Sequence, residues 1–395
     1  MNTDSSSHPL LSFAFRPFFL LTGVYAVLVI VAWVAFMIAG MPLPLGWSPV
    51  QWHSHEMLYG LVPAAIAGFL LTAMCNWTGA PPLRGRGLLA LILVWLAGRL
   101  AFWLSAWLPV WLVAGVDLLF LPVLAIYVAR TLIRYQNRRN LIVVLALVLL
   151  TAGNLLMHLG FIIRNRDILL LGQRMGLDVV VVLMVVIAGR ITPAFSANWL
   201  RAHGRSPEWV KRYDRLDRLA IASVLLLVVL EPLPLPPAVM GGAALFAGSV
   251  NLIRLLGWSG WRVLAEPLLW ILHLSYVWIV LGLLVRGAAE FDAHIPPSVW
   301  MHLLGAGAIA TLILGVMTRV ALGHTGRHLR LPRFGILIYL AIMLATVLRV
   351  LVAMHWLDFR TGIMLTAANW MLAFGLFVIL YAPVLSGPRP DGRPG

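Results

Sequence analysis

The chain reads as an all-α polytopic membrane protein, and three observations predict it. Hydrophobic residues make up 62% of its 395 positions and charged ones only 11%, outside the range of soluble domains. Apolar stretches of about 20 residues, each long enough to cross a bilayer core of about 30 Å, recur from end to end, about twelve in all. Basic residues concentrate on alternate loops. With the N-terminus inside, the cytoplasmic segments hold Arg84 and Arg86, Arg130 to Arg139, the cluster from Arg190 to Arg218, and Arg319 to Arg333. The opposite side has only Arg164, Arg166, Arg286 and Arg360, so both termini are expected to be cytoplasmic. The formal net charge of +15 is therefore a topology signal, and no nucleic-acid partner is implied.

The spans fall at 18–39, 50–75, 87–108, 110–130, 140–163, 168–189, 217–231, 237–257, 266–286, 298–320, 335–356 and 362–384. The seventh is short enough to be tilted or re-entrant. Turn chemistry separates them, as in Gly79-Ala80-Pro81-Pro82 and Ile295-Pro296-Pro297-Ser298. The connection from Ile191 to Asp217 is basic and aromatic and is expected on the membrane surface. One integral membrane domain over 1–395 is expected: a motif at 12–17, a bundle over 18–384 and a tail from 385, with 1–12 and 387–395 disordered. No cleavable signal peptide is expected, because the first span is too long and lacks a cleavage site. Cys75 is the sole cysteine, which removes intramolecular disulfides and multi-thiolate metal sites within one chain.

Ionisable residues inside such spans are costly, so they mark the places where chemistry or binding is expected. The second span opens with Ser48-Pro49-Val50-Gln51, an N-cap, a proline at the first helical position and a glutamine closing a capping box. His53 and His55 follow, about 200° apart on a regular helix, so one undistorted helix cannot aim both at a single ion. His53 shares a face with Glu56, and His55 shares one with Tyr59; Pro63 is expected to kink the helix. His158 lies about 9 Å before Arg164, His302 about 6 Å after Ser298 and His355 about 4.5 Å before Asp358, by the helical rise. Together with Arg174 they form a polar layer in the outer third of the bundle, with Asp117 and Asp178 deeper. Arg174 and Asp178, four apart, can pair on one face, and Arg99 with Asp117 is a second candidate pair. The bland alternatives are packing histidines and structural ion pairs.

A weak internal repeat runs at an offset of 247. His55, Gly60, Ile66, Gly68, Thr78, Gly79 and Arg86 match His302, Gly307, Ile313, Gly315, Thr325, Gly326 and Arg333. Both stretches cross in the same direction, as a parallel repeat requires, which makes His55 and His302 equivalent.

Imidazole suits copper, zinc and haem iron, so His53, His55, His158, His302 and His355 are the candidate metal ligands. Gly60 and Gly305 offer space for a macrocycle beside a histidine, although close helix contact is their ordinary role. Arg174 is a fork donor suited to haem propionates. Glu56 and Tyr59 are candidate proton suppliers, and Asp178 a deeper acid. His324, near the cytoplasmic interface, differs in kind and reads as a capping or headgroup residue.

Several stretches together resemble the NnrS family of bacterial proteins. They are Phe15-Arg16-Pro17-Phe18-Phe19, Trp52-His53-Ser54-His55-Glu56-Met57, Ala67-Gly68-Phe69-Leu70-Leu71-Thr72-Ala73 and Asn76-Trp77-Thr78-Gly79. Further on come Gly189-Arg190-Ile191-Thr192-Pro193-Ala194-Phe195, Met317-Thr318-Arg319 and Gly323-His324-Thr325-Gly326-Arg327. The resemblance implies a cytoplasmic-membrane protein associated with haem, with copper as a second candidate cofactor, and with the bacterial response to nitric oxide. An oxidoreductase linked to nitric oxide and fed by an unidentified electron donor would fit that association. Two other readings stand beside it: a proton-coupled transporter using the buried histidines and acids, and a haem or copper handling protein without turnover. The absence of paired mid-span breaks in the expected helices weighs against transport.

Overall fold

The computed structural model describes residues 8–392. It is all-helical, and no strand occurs among the described residues. Among the described residues eleven helices are long and apolar enough to cross a membrane: α1 (Phe15–Met37), α2 (Pro49–Thr78), α3 (Gly85–Trp103), α4 (Val110–Arg134), α5 (Arg138–Ile162) and α6 (Arg166–Ala202) lead. The seventh helix, α7 (Asp214–Leu230), has 17 residues and is the short span that the sequence marks out. Then come α8 (Pro237–Arg262), α9 (Pro267–Ala289), α10 (Pro297–His324), α11 (Gly335–Ala353) and α12 (Phe359–Ser386).

Two compact units emerge. The first holds the chain up to Gly176 with Met317–Arg330 and everything from Phe374; the second holds Leu177–Val316 and Leu331–Ala373.

Two helices depart from regular α geometry at matching places. In α2 the turn Glu56–Leu61 widens to π-helix directly after His55, and in α10 Leu303–Ile309 does so directly after His302. Pro63, which cannot donate to the carbonyl four residues back, accounts for a break in α2. Its counterpart at offset 247 is Ala310, so a proline is not the shared cause. The expected N-cap is present, with the Gln51 amide donating to Ser48 Oγ. A third interruption divides α4 at Leu118-Leu119, where Pro122 has no N–H to offer Leu118.

Three expectations need correction. Helix α6 continues through Pro193 to Ala202, so its 37 residues reach about 55 Å and the connection that follows is shorter than expected. That connection is packed within the second unit: the Lys211 amide donates to the Gly257 carbonyl, and the Arg262 guanidinium sits 3.7 Å from the Trp209 ring centre. The tail is also seated as far as it is described. Arg16, buried at the start of α1, donates to the carbonyls of Leu385 and Gly387, and Arg389 donates to the His324 carbonyl. The His324 ring rests 5.7 Å from that of Phe15. Two of the family-like stretches thus meet the tail in one clamp. Residues 1–7 and 393–395 lie outside the described residues. Finally, Arg286 is a buried residue rather than a loop charge: it is bonded to Asp178 and, at 2.6 Å, to Glu231.

Candidate metal centre

In the first unit four helices bring their polar residues to matching ends. His55 closes the regular start of α2, Arg99 stands one turn before the end of α3, and Asp117 precedes the break in α4. Asn154 and His158, four apart on α5, share one face. All five are buried, as is Glu56.

The arrangement centres on Asp117. One carboxylate oxygen, Oδ1, accepts from Arg99, which also donates to Glu56 Oε1. The other, Oδ2, faces His158 Nε2 at 2.9 Å, His55 Nε2 at 3.2 Å and the Asn154 amide nitrogen at 2.8 Å. His55 Nδ1 lies 3.0 Å from Glu56 Oε1, and its Nε2 lies 2.9 Å from Asn154 Oδ1. Both ring nitrogens of His55 therefore face oxygen atoms. Arg99 offsets one of the two carboxylates, leaving the pocket one negative charge to be met by an imidazolium, a bound proton or a cation.

The donor atoms of His55, Asp117 and His158 lie within 4.8 Å of one another. In a tetrahedral site with metal–nitrogen bonds of about 2.0–2.1 Å, neighbouring donors stand about 3.3 Å apart. The two histidine nitrogens stand 3.2 and 2.9 Å from the Asp117 oxygen, close to that spacing, so the three residues fit a transition-metal ion. Two histidines and one carboxylate leave coordination positions open for a small ligand. Glu56 would then hold the outer nitrogen of His55, the carboxylate–histidine pairing that orients metal ligands. Glu56 Oε2 and His158 Nδ1 are buried with no hydrogen-bond partner, an incomplete polar network that a bound ion or water would complete.

Aromatic rings close the pocket. Phe102 stacks on His55 with ring centres 3.9 Å apart, and Trp47 packs 5.7 Å from His55, 5.5 Å from His158 and 4.3 Å from Phe161. Trp47 belongs to the connection between α1 and α2. That connection is fastened by the Gly46 amide donating to Ser105 Oγ and the Ala106 amide donating to the Pro44 carbonyl. The wide turn has its own support: the Gly60 carbonyl accepts from the Trp95 indole at 2.9 Å. A Cβ on Gly60 would come within 2.6 Å of Arg99 Nη1. The space expected there for a macrocycle is filled by the guanidinium.

Tyr59 is held differently from a proton supplier. Its ring centre is 5.6 Å from that of His55, and its hydroxyl donates to the Gly172 carbonyl at 2.6 Å. A Cβ on Gly153 or Gly176 would strike that hydroxyl, so the phenol threads between two glycines. Gly176→Ala is expected to cost about 1–3 kcal/mol by overpacking, read as a lower melting temperature in detergent. Adding Tyr59→Phe, which removes the struck atom, should recover part of that loss.

The other expected residues lie elsewhere. His53 stacks on Trp33 at 4.4 Å, turned away from His55 as the 200° separation requires. His302 belongs to the second unit, with Nδ1 2.6 Å from the Ser298 carbonyl, and the site beside Gly305 is open to 4 Å. His355 is exposed just beyond α11 with φ +59°. Arg174 is half-buried on α6, and Asp178 receives Arg286 from α9. Asn76 is exposed, and Arg190 and Arg319 are half-buried. Sequence reasoning missed Asn154, Trp47 and Phe102. Asn154 had one usable signal, its place one turn before His158 on the same face.

Fold and pocket together define a polytopic helical membrane protein with a buried cluster of metal-ligand type. The NnrS protein family model matches residues 9–389, nearly the whole chain, and the chain belongs to that family. No curated protein matches it.

Proposed function

We propose that the chain holds a transition-metal ion at His55, Asp117 and His158, and acts in the bacterial response to nitric oxide from the cytoplasmic membrane. The observation that carries this reading is the convergence of two imidazoles on one carboxylate oxygen, in a buried pocket with one negative charge in excess. The family association with copper selects copper as the ion, and imidazole donors suit it. A copper ion there would supply one-electron redox chemistry and an open position for a diatomic ligand. The protein's own part is to orient His55 through Glu56, to balance charge through Arg99, and to keep water out with Trp47 and Phe102. Nitric oxide is apolar and dissolves in lipid, so a site among helices needs no polar channel.

Haem fits the first unit poorly, because both nitrogens of His55 are engaged and Arg99 fills the space beside Gly60. His302 fits better. Its Nδ1 lies 2.6 Å from the Ser298 carbonyl, and Gly305, three residues on, has open space beside it.

A transport reading is favoured by one observation: the wide turns of α2 and α10 are paired breaks at corresponding positions of a repeat. The first experiment is metal and haem quantification on detergent-purified protein, with visible spectra of the reduced form before and after nitric oxide. Stoichiometric copper and a spectrum that shifts with nitric oxide are expected. Colourless, metal-free protein that moves a solute in liposomes would replace this reading with transport.

A further inference from the structure

The internal repeat holds in the packing around its two π-turns, and its second copy carries the opposite charge. At offset 247, α2 matches α10: each has a histidine, then a π-turn, then a helix ending near a glycine with φ +72° (Gly79) or +71° (Gly326). The neighbouring helices follow. A Cβ on Gly60 would meet Tyr25 of α1 at 3.2 Å and Arg99 of α3 at 2.6 Å. A Cβ on Gly307 would meet Trp278 of α9 at 3.0 Å and Thr346 of α11 at 3.1 Å. Trp278 therefore stands for Tyr25 and Thr346 for Arg99. A further pair agrees: Trp33 stacks on His53 at 4.4 Å, and at the matching positions Arg286 lies 4.7 Å from the Trp300 ring.

This register places Arg349 at the position of Phe102. In the first unit Phe102, three residues beyond the one that meets the glycine, lies flat on the histidine ring at 3.9 Å. On that register Arg349, three beyond Thr346, falls on the flank of α11 that corresponds to the Phe102 flank of α3. Val350 and Met354 pack against the cluster that Val299 and Leu303 of α10 form with Ala353, which brings this end of α11 against the start of α10.

The acids are gone. Glu56 is matched by Leu303, and α9, α10, α11 and α12 contain no Asp or Glu at all. Arg286 has its own acids, Asp178 and Glu231. Arg349 is half-buried and has no hydrogen-bond or ion-pair partner among the described residues. An uncompensated guanidinium inside a membrane span is costly, and a fork of N–H donors is suited to an oxyanion. Gly305, one turn beyond His302, leaves open space beside it.

We propose that α10 and α11 form an oxyanion site, with Arg349 as the fork donor and His302 beside it. The first unit would then take a cation and the second an anion, on one duplicated backbone. The oxyanion has two sources, a carboxylate of a bound porphyrin or a free inorganic anion. The inference does not depend on a metal at His55.

Two titrations on the full-length purified protein test it and separate the sources. The first follows the melting temperature against nitrite, with chloride at equal ionic strength as the control. The second compares haemin with haemin dimethyl ester, which lacks the free carboxylates. In wild type, either nitrite raises the melting temperature saturably, or haemin binds about tenfold or more tightly than its ester. The first result identifies a free anion and the second a cofactor carboxylate. Arg349→Gln should abolish whichever preference is seen, and Arg349→Lys should retain part of it. Arg349→Phe, which installs the first unit's residue, keeps the test usable if the glutamine variant does not fold. Equal responses of wild type, Arg349→Gln and Arg349→Phe to both titrations overturn the proposal, the result expected if Arg349 merely anchors its helix at the headgroup layer.

Discussion

Arg99→Gln is expected to destabilise the protein by about 3–5 kcal/mol, the usual loss when one partner of a buried ion pair is removed. Its guanidinium bridges Glu56 and Asp117, both fully buried, so the substitution leaves two carboxylates facing each other without a cation. Arg99→Lys should recover little, because a single ammonium cannot present a fork to two acids. The double variant Arg99→Gln/Glu56→Gln should recover most of the loss, since it restores the wild-type charge of the pocket. Thermal unfolding in detergent reads all three. A divalent copper or zinc salt should raise the melting temperature of Arg99→Gln more than that of wild type, because a bound ion replaces the missing positive charge. Wild-type stability in Arg99→Gln would mean that the cluster is hydrated and open, contrary to its burial.

Asp117→Asn is expected to have the largest effect on metal content. It removes the anionic donor on which both histidines converge while keeping the size of the side chain. Its loss of metal affinity should exceed the roughly 10–100-fold that orienting partners cost. Glu56→Gln, which disturbs only the carboxylate behind His55, should fall within that range. Elemental analysis of purified protein, followed by competition with a chelator of known affinity, ranks the two. A copper-to-protein ratio in Asp117→Asn equal to that of wild type would remove the ligand set.

Much of the helical framework was legible in the sequence, because burial in lipid forces it. Apolar runs and turn residues located α1 to α12, and the only large boundary change is the extension of α6 through Pro193. A proline inside a helix reads as a stop, yet neighbouring helices can satisfy the freed carbonyl. Residue counting from the loops placed His55 and His158 in one layer, and the structure joins them. It could not show which side chains of separate helices meet. Asp178 is bonded to Arg286, which stands 108 residues away and reads in the sequence as a loop charge. Trp47 and Phe102 were invisible as pocket walls because aromatic residues are common throughout such a chain. The weak sequence repeat proved informative once its neighbours could be compared, for Gly60 and Gly307 are each overlain by an aromatic ring from the preceding helix.

The wide turns of α2 and α10 also divide each helix into two blocks that can be re-phased. A π-turn carries one residue more than the α-turn it replaces. Excising a single residue there would let either helix close as a regular spiral, while swinging everything on one side by about 100° relative to the other. In α2 that rotation would carry His55 off Asp117 or drag Tyr59 out of its glycine slot. One-residue deletions within Glu56–Leu61 and Leu303–Ile309 should therefore be tolerated by the backbone and still uncouple the ligand end of each helix from its packing end.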